Sequence, residues 1–287
     1  MNVALLPIGL PRVALLEGEW QLCLRAEALP ARRLAAPVAT VLPVWIEAAR
    51  QGGYGMVDDV DERDTGLIER PIGADADAQA LLVFGVRALD PRAFQILRSA
   101  LLAQLARWPV EAAEAEAEDD DEESSLHRLA SQLGGARLIL LPRGRIAADF
   151  TVLPGSDGES GREGVSEYDL YPAPPRYPPF ALAWMQQQGT LRRCVVSFTT
   201  RVDAALLASL RTHLHSWAQL LALGGFEQPT RAAGRCLACF GGVQLFEEDS
   251  AEIVVDTFEA AEGAWNILAH LLVRFARVHP IVSVEIH

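Results

Sequence analysis

The sequence predicts an α+β protein in which a ferredoxin-like βαββαβ unit occurs twice in tandem. Half of the 287 residues are hydrophobic, which is typical of a globular fold. Two separate segments recur further along the chain at a nearly constant offset. The same order of strand-like and helix-like segments surrounds each occurrence, and that order is the split βαβ pattern. We therefore expect two antiparallel sheets, each with helices on one face, arranged as a pseudo-dimer.

The internal repeat rests on two matches. WIEAARQGGY at 45–54 and WAQLLALGGF at 217–226 both place a tryptophan seven residues before a Gly-Gly-aromatic step, at an offset of 172. AFQILRSALLAQLARW at 93–108 matches AWNILAHLLVRFARV at 264–278 at an offset of 171 that falls to 170. The identical pairs at offset 171 include Ala93/Ala264, Ile96/Ile267, Leu97/Leu268 and Leu101/Leu272. Two matches in the same order favour a duplication over chance.

The elements of the second copy follow from local signals. Residues 194–200, CVVSFTT, are β-branched and strand-like. Asp203 is a suitable N-cap for a helix over 204–223, and Gly224-Gly225 is a suitable C-terminal stop. We expect the remaining elements to be strands at 243–247 and 252–258 joined at Asp249-Ser250, a helix over 261–278 and a strand over 281–287.

The first copy repeats this order. Its elements are a strand at 20–26, a helix over 37–51, a hairpin around Asp75 to Asp77, a strand at 80–88, a helix over 91–107 and a strand at 136–142. The predicted organisation is a first copy over 1–145 with an acidic insertion at 109–125, a connector over 146–190 and a second copy over 191–287. The two copies could extend one sheet across a shared edge or pack sheet face against sheet face.

The connector is rich in Gly, Ser and Glu and then in Pro and Tyr, which favours an extended second part. Its aromatic residues, Tyr168, Tyr171, Tyr177 and Phe180, could recruit a partner. We favour the other interpretation, in which the connector is a strap across the two copies.

The negative charge is concentrated in one segment. The formal net charge is −13, and residues 111–123 contribute nine acidic side chains and no basic ones, so the rest of the chain carries −4. This segment is either a solubilising insertion or a dock for a basic partner. The residues we expect to contact such a partner are Glu116, Glu118, Asp119, Asp120, Asp121, Glu122 and Glu123.

Composition excludes several classes of function. The chain has no lysine, which excludes Schiff-base chemistry and the P-loop lysine. It has no basic stripe, so we expect no nucleic-acid partner. No apolar run is long enough for a membrane helix, and the N-terminus lacks the pattern of a secretory signal, so we expect a cytosolic protein. Cys236 and Cys239 form a CxxC pair without a second ligand pair, and we predict no metal site and no cofactor.

Catalytic signatures are mostly absent from the sequence, which contains no GxSxG, HExxH or Walker A motif. His213 and His215 are two residues apart on a predicted helix and therefore point in different directions. If the copies enclose a cavity, polar strand residues are its candidate lining: Arg25, Glu69, Ser197 and Gln244, with a possible Arg25–Glu69 ion pair.

These observations lead to three hypotheses. The first is a non-enzymatic protein-binding protein, similar in physical character to bacterial toxin-neutralising (immunity-like) or escort proteins, whose partner carries a basic surface. The second is a small-molecule enzyme or sensor with a site between the two repeats. The third is a subunit of a larger assembly that pairs through an exposed strand.

Overall fold

The computed structural model describes residues 16–25, 31–54, 67–70, 80–90, 92–107, 137–142, 151–152, 171–185, 191–226, 239–256 and 263–287. The first half of this part contains β1 (Leu16–Arg25), α1 (Ala31–Arg50), β2 (Leu67–Arg70), β3 (Ala80–Leu89), α2 (Ala93–Arg107), β4 (Arg137–Pro142) and β5 (Thr151–Val152). The second half contains β6 (Ala181–Trp184), β7 (Leu191–Phe198), α3 (Ala204–His213), α4 (His215–Ala222), β8 (Cys239–Glu247), β9 (Ser250–Asp256), α5 (Gly263–Phe275) and β10 (Ile281–Ile286). The protein is thus a mixed α+β fold.

In the part of the chain that the structure describes, the strands form two five-stranded sheets. The strand order is β2-β3-β1-β4-β5 in the first sheet and β6-β10-β7-β9-β8 in the second. All neighbouring strands are antiparallel except β6 and β10, which are parallel. The prediction of purely antiparallel sheets was therefore wrong at one edge. The strand responsible, β6, lies in the connector, where no strand was predicted from the sequence.

Two of the predicted helices differ most from the structure. α1 begins at Ala31 and contains Pro37 and Pro43 inside the helix. The predicted helix over 37–51 begins at Pro37, and proline usually occupies the first turn of a helix. The single helix expected over 204–223 is divided at Leu214, which separates α3 from α4.

The predicted caps of this helical segment are confirmed. The Asp203 carboxylate accepts a hydrogen bond from Leu206 N at 2.8 Å, which supplies an acceptor to the first turn. At the other end Gly224 has a φ of 80°, a left-handed conformation that ends helices and that glycine adopts without strain.

The two halves contain matching local geometry. The indole Nε1 of Trp45 donates to Ala93 O at 2.9 Å, and the indole Nε1 of Trp217 donates to Ala264 O at 2.8 Å. Gly52, with a φ of 81°, follows α1 as Gly224 follows α4. Each of these pairs has the 171 or 172 offset of the sequence repeat.

The halves contact each other through their helices. Gly53, just after α1, lies against Ile267 and Leu271 of α5, while Gly225, just after α4, lies against Ile96 of α2. Buried side chains of both halves form one hydrophobic cluster. Within the described residues the halves meet through helices, which matches neither of the two arrangements expected from the sequence, a shared sheet edge or sheet face against sheet face. None of the described helices is long and apolar enough to cross a bilayer.

The described part of the connector lies along α5. Tyr171 is buried, Asn266 Nδ2 donates to Pro172 O at 3.0 Å, and the His270 imidazole Nε2 is 2.7 Å from Ala173 O. Gly263, the first residue of α5, allows the Tyr171 ring to approach the helix. Residues 171–173 are therefore packed against the second half.

Candidate functional site

A cleft opens where α1 of the first half meets α3 and α4 of the second. Its volume is about 480 Å³, which is within the range of small-molecule sites. It is lined by polar side chains from both halves: Glu47, Gln51, Arg211, Thr212, His215, Ser216 and Gln219. We call this feature the seam cleft.

A chain of hydrogen bonds joins the two halves within the lining of the seam cleft. The Ser216 hydroxyl donates to Gln51 Oε1 at 2.5 Å, and Gln51 Nε2 donates to Glu47 Oε1 at 3.1 Å. Ser216 is buried, whereas Glu47 is exposed. The buried hydroxyl therefore orients the Gln51 amide, and the amide in turn orients the Glu47 carboxylate.

Arg211 supplies a positive charge to the same cleft. Its guanidinium donates from Nε and Nη2 to Val243 O, at 3.0 and 2.6 Å. These two bonds link α3 to β8 and fix the plane of the guanidinium, because both donors bind the same carbonyl oxygen. The Nη1 group makes no hydrogen bond within the described residues, so it can donate to a bound molecule.

Thr212 and His215 border the cleft next to Arg211. The Thr212 hydroxyl donates to Ala208 O at 2.9 Å, which leaves its oxygen as an acceptor. His215 is exposed at the start of α4. The lining of the seam cleft thus includes one carboxylate on α1 and one guanidinium on α3, together with further polar side chains.

Two of the predicted cavity residues lie on the second sheet and not in the seam cleft. Ser197 Oγ is 3.1 Å from Ser250 Oγ, and Gln244 Nε2 donates to Glu252 Oε2 at 2.6 Å. Glu252 is only 5% exposed and also pairs with Arg193 at 3.5 Å. These side chains form cross-strand pairs, which stabilise a sheet.

The other two predicted cavity residues are separated by the strand register. Glu69 on β2 is opposite Phe84, and Phe84 is opposite Trp20 on β1. Arg25 lies five residues further along β1, opposite Arg137 of β4. Five residues of strand span roughly 16 Å, so the register does not place Arg25 and Glu69 as neighbours.

The acidic residues that we expect to contact a partner, Glu116, Glu118, Asp119, Asp120, Asp121, Glu122 and Glu123, are outside the described residues. Their part in binding stays a prediction. The same holds for Cys236 of the CxxC pair.

The described histidines and cysteines do not form a metal-binding group; among the residues that the structure describes, no set of three potential ligands lies together. His213 Nε2 is 2.8 Å from Leu271 O, and the imidazole ring is 5.3 Å from that of Phe275. Cys194 is fully buried, and burial raises the pKa of its thiol, which disfavours the reactive thiolate.

The seam cleft was not predicted from the sequence, although the repeat contains a signal for it. At an offset of 172, four polar lining residues are aligned with apolar ones: Arg211 with Ala39, His215 with Pro43, Ser216 with Val44, and Gln51 with Leu223. Glu47 and Gln219 are aligned with each other. The repeated scaffold therefore does not require these polar groups at both places.

No protein-family model matches the chain. No curated protein matches it either.

Proposed function

We propose that this chain is a non-enzymatic protein-binding protein of the cytosol, of the toxin-neutralising or escort kind, and that its partner carries a basic surface. The observation that carries the proposal is the concentration of nine acidic side chains in residues 111–123. This segment begins four residues after α2 ends at Arg107. A block of like charge attracts a basic protein and accelerates the encounter with it.

We further propose that the protein arose by tandem duplication of a ferredoxin-like βαββαβ unit. The repeat offset, the matching hydrogen bonds of Trp45 and Trp217 and the matching glycines after α1 and α4 support this proposal. So does the order of four strands in each sheet, β2-β3-β1-β4 and β8-β9-β7-β10. The units would occupy 1–145 and 191–287, joined by the connector over 146–190.

The test is affinity capture with three forms of the full chain. They are the wild type, a deletion of 111–123, and a variant in which Glu116, Glu118, Asp119, Asp120, Asp121, Glu122 and Glu123 become the corresponding amides. A control variant, Glu248→Gln with Glu285→Gln, neutralises exposed carboxylates on the second half. Captured proteins are identified by mass spectrometry and then titrated in purified form at low and high salt.

We expect one stoichiometric partner that binds the wild type and the control variant, binds the amide variant at least tenfold more weakly, and loses affinity as salt rises. A partner that binds the amide variant and the deletion as tightly as the wild type at low salt would overturn the acidic-dock proposal.

A second candidate function is that of a small-molecule enzyme or sensor with a site between the repeats. The seam cleft supports it, because both halves contribute lining residues. A thermal-shift screen with small polar metabolites tests this candidate. Stabilisation of the wild type that is lost in Ser216→Ala is the expected result, and stabilisation that is equal in both forms would contradict it.

A further inference from the structure

We propose that the seam cleft binds a zwitterionic small molecule of the α-amino-acid class, with its ammonium group on Glu47 and its carboxylate on Arg211. This inference rests on the second candidate function, because it names the ligand of the same cleft. The two charged groups line one cleft of about 480 Å³ from different helices, Glu47 on α1 and Arg211 on α3.

The orientation of both charged groups is fixed by other side chains or by the backbone. The Glu47 carboxylate accepts from Gln51 at 3.1 Å, and Gln51 accepts from the buried Ser216 hydroxyl at 2.5 Å. The Arg211 guanidinium is held by Val243 O through Nε and Nη2. Groups that are oriented in advance lose less entropy when a ligand binds, so these contacts favour recognition.

The pairing of opposite charges selects the ligand class. A simple anion would be attracted by Arg211 but repelled by Glu47, and a simple cation would experience the reverse. A molecule that carries one positive and one negative group can interact favourably with both residues. Thr212 Oγ1 and the Gln219 amide offer further neutral contacts beside these groups.

The repeat indicates that this chemistry is specific to one place. The positions aligned with Arg211, Ser216 and Gln51 are Ala39, Val44 and Leu223. Since the fold accommodates apolar residues at the aligned positions, packing alone does not explain the polar set.

Calorimetric titration with matched ligands tests the proposal. The probes are the common L-amino acids, each with its methyl ester, which lacks the negative charge, and its N-acetyl derivative, which lacks the positive charge. The cleft is open to water, so we expect a Kd of about 0.1–10 mM for the best amino acid. We expect at least tenfold weaker binding of both of its blocked forms.

Glu47→Gln is expected to weaken binding of the free amino acid about tenfold and to leave the N-acetyl derivative unchanged or tighter. Glu248→Gln removes the same charge from the β8–β9 turn and should change neither affinity. Both residues are exposed, so neither substitution threatens folding, and a thermal melt verifies this.

The outcomes separate the ligand class from the site itself. Equal binding of the free, esterified and acetylated forms overturns the zwitterion proposal, as does binding that Glu47→Gln does not alter. Binding of inorganic phosphate or another simple anion, without the amino acids, overturns the ligand class but keeps the seam cleft as a binding site. If no probe binds at a ligand concentration of about 100 mM, tenfold above the upper expected Kd, both the zwitterion proposal and the seam cleft as a small-molecule site fail.

Discussion

Gly53 lies so close to Ile267 that a Cβ atom on Gly53 would be 3.1 Å from the Ile267 Cγ2 atom. Gly225 has the reciprocal relation, since its Cβ would be 3.0 Å from Ile96 Cγ2. Gly53 and Gly225 are equivalent positions of the repeat, and so are Ile96 and Ile267. Each contact is therefore the counterpart of the other, as in a two-fold symmetric dimer. The interface between the halves therefore depends on glycine at two places that one sequence motif supplies.

Gly53→Val and Gly225→Val should each destabilise the protein. A valine side chain at either place would overlap an isoleucine and a backbone carbonyl of its own helix end. Overpacking of this kind costs about 1–3 kcal/mol. Urea unfolding followed by circular dichroism measures the loss.

Ala208→Val is the control for added volume, because Ala208 is exposed on α3. Ala208→Val should lower the free energy of unfolding by no more than the helix-propensity difference between alanine and valine, about 0.6 kcal/mol. A loss as large for Ala208→Val as for the two glycine variants would contradict the tight contact.

The paired tryptophans should have equal effects on stability. Trp45 and Trp217 are both fully buried, and each donates an indole hydrogen bond to the start of a following helix, at Ala93 of α2 and at Ala264 of α5. Replacement of either by phenylalanine removes this bond and leaves a void, so we expect a loss of about 2–4 kcal/mol in each case. Differential scanning calorimetry checks both variants.

Trp184→Phe is the matched comparison. Trp184 is half-buried on β6, and its Nε1 makes no hydrogen bond within the described part of the chain. We expect a loss below about 1 kcal/mol, since no indole hydrogen bond is removed. A loss at Trp184 equal to that at Trp45 would show that ring volume alone governs these sites.

Gly263 should be required for the packing of Tyr171 against α5. A Cβ atom there would be 2.2 Å from Tyr171 Cγ, closer than non-bonded carbon atoms can approach. Gly263→Ala must therefore displace the Tyr171 ring, and we expect a loss of about 1–3 kcal/mol.

A double-mutant cycle with Tyr171→Ala separates this clash from other effects. The double variant should be less destabilised than the sum of the single variants, because the ring that meets the new methyl group is gone. Additive effects would mean that Gly263 and Tyr171 do not interact, contrary to the structure.

Local signals in the sequence predicted local structure well. Asp203 and Gly224 act within one turn of their own helix, so the residues around them are sufficient to predict the cap and the stop. The start of α1 was not predictable in this way, because a helix that continues through Pro37 and Pro43 is maintained by packing that propensity does not report.

Features that join distant parts of the chain could not be predicted. β6 pairs with β10, about a hundred residues further along, and its four residues have no pattern that distinguishes a parallel edge strand from an extended connector. The seam cleft likewise brings Gln51 to Ser216, which are 165 residues apart. The repeat predicted that two similar units exist, but the helix-to-helix contact between the halves became evident only from the structure.

His213 should make stability depend on pH. Burial lowers the pKa of His213, and the nearby positive charge of Arg274 and the neighbouring His279 lower it further, while the hydrogen bond with Leu271 O opposes the shift. A histidine whose pKa is lower in the folded state binds more protons when unfolded. The stability that this group contributes is therefore fully present above its unfolded pKa of about 6.5 and is lost as the pH falls through the folded value.

We expect the free energy of unfolding to decrease from pH 7.5 to pH 5, and to decrease less in His213→Gln, which retains a donor for Leu271 O. His215→Gln is the control, because His215 is exposed two residues away on α4. Urea titrations give the free energy of unfolding at each pH, and the slope of this free energy against pH is compared between the variants. The wild type and His215→Gln should have the same slope, and a His213→Gln slope equal to theirs would show that a different group causes the acid sensitivity.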